Sequence, residues 1–283
     1  MSPTAETASA PAAPLISIVI PCYKGERFLA ETIESCLNQT VRDLEVIVVD
    51  DASPDGCAAI AERYAARDPR VRLVRRERNG GVSRAYNSGF AVARGTYFSR
   101  LSQDDLFRPD AMAIMLDRLR SDPDVGLVYC DMQKVDEQGN VLSLWRQSDD
   151  PENALFPTQE IGLCVLWRRT VHEAVGPFRP LYDFSEDYDF YLRISRQFRF
   201  GRCGDEAPFF FRCHPAQNGQ VGEVKQKVNY ARAQLSHHWA MARRFPSRVR
   251  HWKGMVGCSG RCALWSLELY WKQLRARRPA PAR

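Results

Sequence analysis

Two stretches near the start of the chain, ISIVI at 16–20 and LEVIVV at 44–49, are nearly unbroken apolar runs rich in β-branched residues. A strand with one wet face alternates polar and apolar side chains. An uninterrupted run marks a strand buried on both faces, as in a parallel sheet covered by helices. Between the two runs, FLAETIESCLNQT sets Phe28, Leu29, Ile33, Cys36 and Leu37 on one helical face. The alternation continues with a helix in AAIAERYAA, a strand in VRLV, a helix in VSRAYNSGFAVA with Gly95 as its expected C-cap, and a strand in TYFSRL. This order predicts an α/β fold, a three-layer α/β/α sandwich around a mostly parallel, Rossmann-like sheet.

Further along, RPDAMAIMLDRLRS reads as a helix with Pro109 near its start, and DVGLVYCDM as another strand. The polar segment 131–160 is expected to hold a hairpin, SEDYDFYLRISRQF a helix capped by Ser185, and APFFFRCH a strand ending at His214. From about 223 the pattern is helical and basic. The chain therefore divides into a disordered leader (1–14), a main domain (15–220) and a helical, basic appendage (221–283).

Composition bounds the function. At 283 residues and 45% hydrophobic content the chain can bury a sizeable core. Its net charge of +6 is concentrated after residue 242, where Glu268 is the only acid, so the body lacks the basic face of a nucleic-acid binder. Nine cysteines, an odd number without framework spacing, predict reduced thiols and a cytoplasmic protein. Cys258 and Cys262 share a helix face, but two thiols make only half a metal site. The start, MSPTAETASAPAAP, has no apolar core of a signal peptide. No run approaches the roughly 20 apolar residues of a membrane span. The stretch 255–278 mixes Trp, Leu and Tyr with a basic end, which suits either packing on the body or peripheral contact with an anionic membrane surface.

Chemistry is concentrated at strand ends. LEVIVVDD and TYFSRLSQDD each stop on paired carboxylates, Asp50 with Asp51 and Asp104 with Asp105, and VIPCYKG follows the first strand. Ligands of open α/β sheets bind at the carboxyl ends of the strands. Each pair alone reads equally as a turn with a local side-chain cap. Together with Pro21 and Tyr23 they compose a site: an aromatic face for a base, an acid for a base imide, and an acid for a hard divalent cation bound jointly with phosphates. A nucleoside diphosphate satisfies all three. There is no P-loop and no GxGxxG, and NGGVSR at 79–84 is only a weak phosphate-loop candidate.

Three stretches, ISIVIPCYKG through LEVIVVDDASPDG, NGGVSRAYNSGFAVARGTYFSRLSQDD, and SEDYDFYLRI, resemble the family 2 glycosyltransferases. These are inverting, nucleotide-sugar-dependent enzymes of the GT-A fold. The resemblance implies that Pro21 and Tyr23 line the base, and that Asp51 recognises a uracil ring. Ser102, Gln103 and Asp104 would face the nucleotide, with Asp104 ending the metal-binding DXD motif and His214 helping to hold the metal. Asp187 would be the catalytic base. Asp50, Arg84, Asn87, Asp105 and Glu186 would support them, Asp105 by orienting the turn or capping the next helix. A helix N-terminus decorated with acids accounts equally for Ser185, Glu186 and Asp187, and its dipole would keep Asp187 ionised. Ser102 stands where the family often has an acid, and Tyr86 where it often has an arginine.

The implied reaction moves a sugar, from a UDP-sugar for preference, to a hydroxyl of a glycan, lipid-linked glycan or similar acceptor, with Mn²⁺ or Mg²⁺. Acceptor recognition is expected between 145 and 184. Rival readings are a sugar nucleotidyltransferase, for which PCYKGER is a poor Gly-rich loop, a receiver-type module, and a nucleotide-sugar-binding protein without catalysis.

Overall fold

The structure is a computed structural model and describes residues 13–150, 161–215, 223–244, 259 and 261. The leader up to residue 12, Cys258 with Cys262, and the helix expected over 255–278 apart from residues 259 and 261, lie outside the described residues.

The alternating pattern forms β1 (Ile16–Cys22), α1 (Glu26–Leu37), β2 (Leu44–Asp50), α2 (Cys57–Arg67), β3 (Val71–Arg75), α3 (Val82–Val92) and β4 (Tyr97–Arg100). There follow β5 (Leu106–Phe107), α4 (Ala111–Ser121), β6 (Val125–Tyr129), β7 (Met132–Val135), β8 (Val141–Trp145), β9 (Val165–Arg168) and α5 (Arg169–Val175). Last come a 3₁₀ turn at Pro180–Tyr182, α6 (Glu186–Ile194), β10 (Arg199–Arg202), β11 (Phe209–Arg212) and α7 (Glu223–Arg244).

The main sheet has the order β10-β6-β9-β4-β1-β2-β3. Its pairs are parallel except at β9, which runs antiparallel to β4 and β6. Parity along β1 and β2 divides the core between the two faces. Ile16, Ile18 and Ile20 with Val46 and Val48 pack against Leu29 and Ile33 of α1 and Ile60 of α2. Val19 with Ile47 and Val49 packs against Tyr86 and Phe90 of α3 and Phe190 of α6. Burying each such side chain contributes roughly 1.5–3 kcal/mol, and the two polar exceptions, Ser17 and Glu45, hydrogen-bond each other at 2.7 Å. The expected three-layer α/β architecture is therefore present.

A second sheet, β5-β11-β7-β8, was not foreseen as a sheet, although its β7–β8 hairpin and the strand β11 were expected; β11 ends at Arg212, two residues before His214. The two-residue β5 is too short for periodicity to reveal.

Three local expectations are corrected. Gly95 is not a helix C-cap, since α3 ends at Val92. A Cβ there would lie 2.6 Å from the Ser17 amide nitrogen, so glycine permits close approach to β1. Ser185 does not cap α6 through its side chain; its hydroxyl donates to the Gln226 carbonyl of α7 at 3.0 Å. The nine cysteines are not all free: Cys22, ending β1, and Cys57, starting α2, form a disulfide with a Cα separation of 6.6 Å. Their packing is legible as apolar, but the pairing depends on where two distant elements meet.

The helix beyond residue 220 shares the core of the main body. Tyr230 of α7 stacks on Tyr188 of α6 with centroids 4.0 Å apart, and Gln234 donates to the Tyr188 hydroxyl at 2.9 Å. No helix among the described residues is long and apolar enough to cross a membrane.

Candidate active site

Strands β3, β2, β1 and β4 run parallel side by side, so the loops after them meet along one edge of the sheet. The chain switches direction between β1 and β4, which is where an open α/β sheet leaves a crevice. Pro21 is the penultimate residue of β1, and Tyr23 follows it with 40% of its surface exposed. Gln103, after β4, grips that loop from the other side. Its Oε1 accepts from the Tyr23 amide at 2.8 Å and its Nε2 donates to the Tyr23 carbonyl at 3.1 Å. Gly25 makes room for it, since a Cβ there would stand 2.2 Å from the Gln103 amide carbon. Gln103 thus holds the loop that presents the Tyr23 ring.

The two acids after β2 are both committed within the protein. Asp50 accepts from the Ser53 amide at 3.0 Å. Asp51 accepts from the Arg76 guanidinium, from the Gly80 amide at 3.1 Å and from the Gly81 amide at 3.0 Å. The glycine-rich stretch at 79–84 therefore turns two of its amides toward a carboxylate of its own chain. The Ser83 amide donates to Asp183 at 3.2 Å, and the Ser83 hydroxyl reaches the same oxygen. Gly81 has φ +88°, and a Cβ on it would lie 2.5 Å from Asp183 Oδ2, so only glycine suits the place. Arg84 donates to the Gly80 carbonyl at 3.0 Å. Asn87 exchanges two hydrogen bonds with the Phe178 backbone, at 2.8 and 2.9 Å. Arg84 and Asn87 thus brace backbone and are not gathered with the strand-end acids.

After β4 the two acids separate in role. Asp104 Oδ2 lies 2.9 Å from His214 Nε2, both side chains being about nine-tenths buried at 15% and 11% exposure. Asp105 points inward and is 1% exposed; its Oδ1 accepts from the Arg212 amide of β11 at 3.0 Å. It therefore ties the turn to the second sheet and does not cap α4, whose N-cap is Asp110. Burial, and then the charge of Asp104, pushes the Asp105 carboxyl well above the usual carboxylate range. The Arg212 amide and the nearby Ser102 work against that shift.

Asp104 and His214 offer one carboxylate oxygen and one imidazole nitrogen at a single point. No group of three or more metal-ligating side chains occurs among the described residues. This donor set fits a divalent cation completed by water and substrate phosphate oxygens, because such ions often use only one or two protein ligands.

The third part of the site is the start of α6. The chain enters it through Phe184, at φ +74°. Lys24 and Ala52, at φ +56° and +55°, are the other non-glycine residues in the left-handed region among the described residues, and they follow Tyr23 and Asp51 directly. Backbone held in this costly region clusters at functional sites. Asp187 Oδ1 accepts from the Tyr188 amide at 2.7 Å. Its Oδ2 lies 3.4 Å from Arg100, and Glu186 Oε1 lies 3.5 Å from the same guanidinium. Burial and then the charge of Asp187 push the Glu186 carboxyl up to about 7, against the pull of Arg100. Tyr86 of α3 is 1% exposed, and Arg100 Cζ lies 5.2 Å from its ring centroid.

Arg100 was missed in the sequence, although a charged residue ending the strand TYFSR was the available signal. Asp183 was missed as well. Its carboxylate pairs with Ser83 and its carbonyl accepts from Asn229 of α7 at 2.9 Å, so both flanks of the loop before α6 are anchored.

A GT-A-like sheet with an exposed aromatic after β1, an Asp–His pair after β4 and an acidic helix start places the chain among the α/β folds that gather strand-end residues round one crevice. The match to the description "Glycosyl transferase family 2" over residues 17–176 makes the membership specific: the chain belongs to glycosyl transferase family 2. It is 38% identical over 193 residues to the chondroitin synthase of Escherichia coli, a match that covers 67% of this chain and 28% of that one. Another curated relative is likewise covered over only 28% of its length, so the chain corresponds to a part of these larger proteins. Among solved structures, S. aureus TarS 1-349 in complex with UDP-GlcNAc superposes with a TM-score of 0.70 at 16% identity, covering 87% of this chain and 72% of that one. The mannosyltransferase PcManGT from Pyrobaculum calidifontis, in complex with GDP-Man and Mn²⁺, has a TM-score of 0.59 at 19% identity, covering 96% and 78%.

Proposed function

We propose that the protein is an inverting glycosyltransferase that moves a sugar from a UDP-sugar to a hydroxyl of a glycan or lipid-linked acceptor in the cytoplasm. The observation that carries this reading is that β4 serves both groups: its last residue, Arg100, pairs with Glu186 and Asp187, and the loop just after it brings Asp104 to His214. Tyr23 stacks the base, and Gln103 holds the loop that bears it. Asp51, buried and engaged at both oxygens by Arg76 and the Gly80 and Gly81 amides, would act on the base through the loop that it holds and not as a free acceptor.

Asp104 and His214 would hold Mn²⁺ or Mg²⁺, which supplies charge neutralisation for the departing diphosphate. The acceptor oxygen attacks the anomeric carbon from the face opposite the nucleotide. Its proton passes to the Asp187 carboxylate, and the bond to the phosphate oxygen breaks with its electron pair. Asp187 must begin ionised, and the N-terminus of α6 favours that by about 0.3–1 kcal/mol.

Exchange of Asp187 for Asn tests the assignment. Transfer from UDP-GlcNAc, or from whichever of UDP-glucose, UDP-galactose and UDP-GalNAc the wild type uses fastest, should fall at least about 100-fold, the scale of a general base. UDP affinity should stay within about twofold, since Asp187 stands away from the base. Turnover retained in Asp187→Asn would remove Asp187 from the role. An outcome in which no donor is turned over by wild type while UDP still binds would favour a binding protein.

A further inference from the structure

Arg100 is the last residue of β4 and is 4% exposed. Its guanidinium lies 3.5 Å from Glu186 Oε1 and 3.4 Å from Asp187 Oδ2, with its Cζ 5.2 Å from the Tyr86 ring centroid. An arginine buried between two carboxylates is poorly explained as a stability device. Apolar replacements of such clusters are often neutral or stabilising, because three desolvated charges recover little net energy. The cluster must therefore be weighed by what it does to its members.

One cation faces two acids, so the group carries an excess negative charge that burial makes costly. The two acids are unequal. Glu186 is the more enclosed, with 8% of its side chain exposed against 14% for Asp187. A proton taken up by the cluster settles on the more enclosed Glu186, which its raised pKa of about 7 also favours. Asp187 is gripped on both oxygens, Oδ1 by the Tyr188 amide and Oδ2 by Arg100. A carboxylate has roughly four acceptor positions, so this hold fixes its plane without exhausting its capacity to accept a proton.

We propose that Arg100 is the positioning residue of the base: its guanidinium, fixed on the rigid end of β4, orients the Asp187 carboxylate without touching substrate. This rests on the reading of Asp187 as the base. Charged or titratable groups facing the pair come from several elements: Arg100 from β4, Tyr86 from α3, Tyr191 and Glu186 from α6, Asp183 from the preceding loop, and Asp105 after β4. Arg100 is the cation among these six and lies 3.4 Å from the Asp187 carboxylate, and loss of a neighbouring cation disfavours the charged form of an acid.

The test compares wild type, Arg100→Met, Arg100→Lys and Asp187→Asn. UDP binding with Mn²⁺ is measured by calorimetry, and kcat for UDP release from the best UDP-sugar is followed over roughly pH 5 to 9. Arg100→Met should bind UDP within about twofold of wild type, lose about 100-fold in kcat, and have its acid limb moved up by about one pH unit, the scale of one nearby charge. Arg100→Lys, which keeps the charge but not the planar fork, should keep the limb in place and recover part of kcat. The proposal is overturned if Arg100→Met leaves kcat and the limb unchanged. It is equally overturned if kcat falls with the limb fixed and Arg100→Lys behaves like Arg100→Met, which is the mark of a structural role. Should the methionine variant fail to fold, Arg100→Gln against Arg100→Lys makes the same comparison. Active Asp187→Asn would sink the base assignment itself, whereas inactive Asp187→Asn beside an unaffected Arg100→Met would sink this inference alone.

Discussion

His214 Nε2 and Asp104 Oδ2 lie 2.9 Å apart although 110 positions separate them in the chain. The contact joins the loop after β4 to the end of β11, and so links the main sheet to the second sheet at the crevice. Phe28 of α1 backs the imidazole, with ring centroids 5.2 Å apart. A pair built this way presents its two donor atoms at one place.

If both side chains serve one cation, removing either should be nearly as damaging as removing both. His214→Ala and Asp104→Ala are each expected to weaken Mn²⁺-dependent UDP binding at least about tenfold, and the double variant little more. Calorimetry with and without EDTA measures this. UDP affinity that is metal-dependent and unaltered in both single variants would exclude the pair as ligands.

Glu186 gives a pH signature to stability. Its carboxyl is raised from the ordinary value of 4.5 to about 7, so the folded state prefers it protonated. The stability it contributes is fully present below the unfolded pKa and is lost as pH rises toward and through about 7. Glu186→Gln, which stays neutral, should gain on wild type by a few kcal/mol between acid and mildly alkaline conditions. Denaturant titrations at several pH values check this, and a constant difference across them would contradict the burial argument.

Gly81 bears on the loop that links Asp51 to Asp183. Its φ of +88° and the 2.5 Å approach of Asp183 Oδ2 to a built Cβ predict that Gly81→Ala costs about 1–2 kcal/mol from backbone alone. Displacement of Asp183 should add to this and loosen the entry to α6. Chemical denaturation reads the stability loss, and kcat for UDP release should fall alongside it. A variant as stable and as active as wild type would show that the loop has another way to close.

Much of the frame was legible because it obeys local rules. ISIVI and LEVIVV announce two doubly buried strands, and Phe28, Leu29, Ile33 and Cys36 announce the covered face of α1, all of them buried. The strand-end acids were visible for the same reason, since a charged pair after an apolar run has few places to go. Their unequal work was expected too, Asp105 orienting the turn or capping the next helix; what the sequence could not show is that it does so by accepting from the Arg212 amide of a strand about a hundred residues away. NGGVSR was only a weak phosphate-loop candidate, and its amides meet Asp51 and Asp183.

By itself the sequence determined the α/β alternation, the family and the positions at which acids and an aromatic leave the sheet. Those properties follow from periodicity and from residue types at strand ends, which are encoded within a few consecutive residues. Tertiary structure decided which of those residues meet: Asp104 with His214, Gln103 with Tyr23, Asp51 with the 80–81 amides, and Arg100 with Glu186 and Asp187. It also brought α7 onto α6, behind the candidate base. The reason is physical: hydrogen bonds and charge pairs depend on distance in space and direction, and no local spacing rule carries contacts across some 80 to 110 residues.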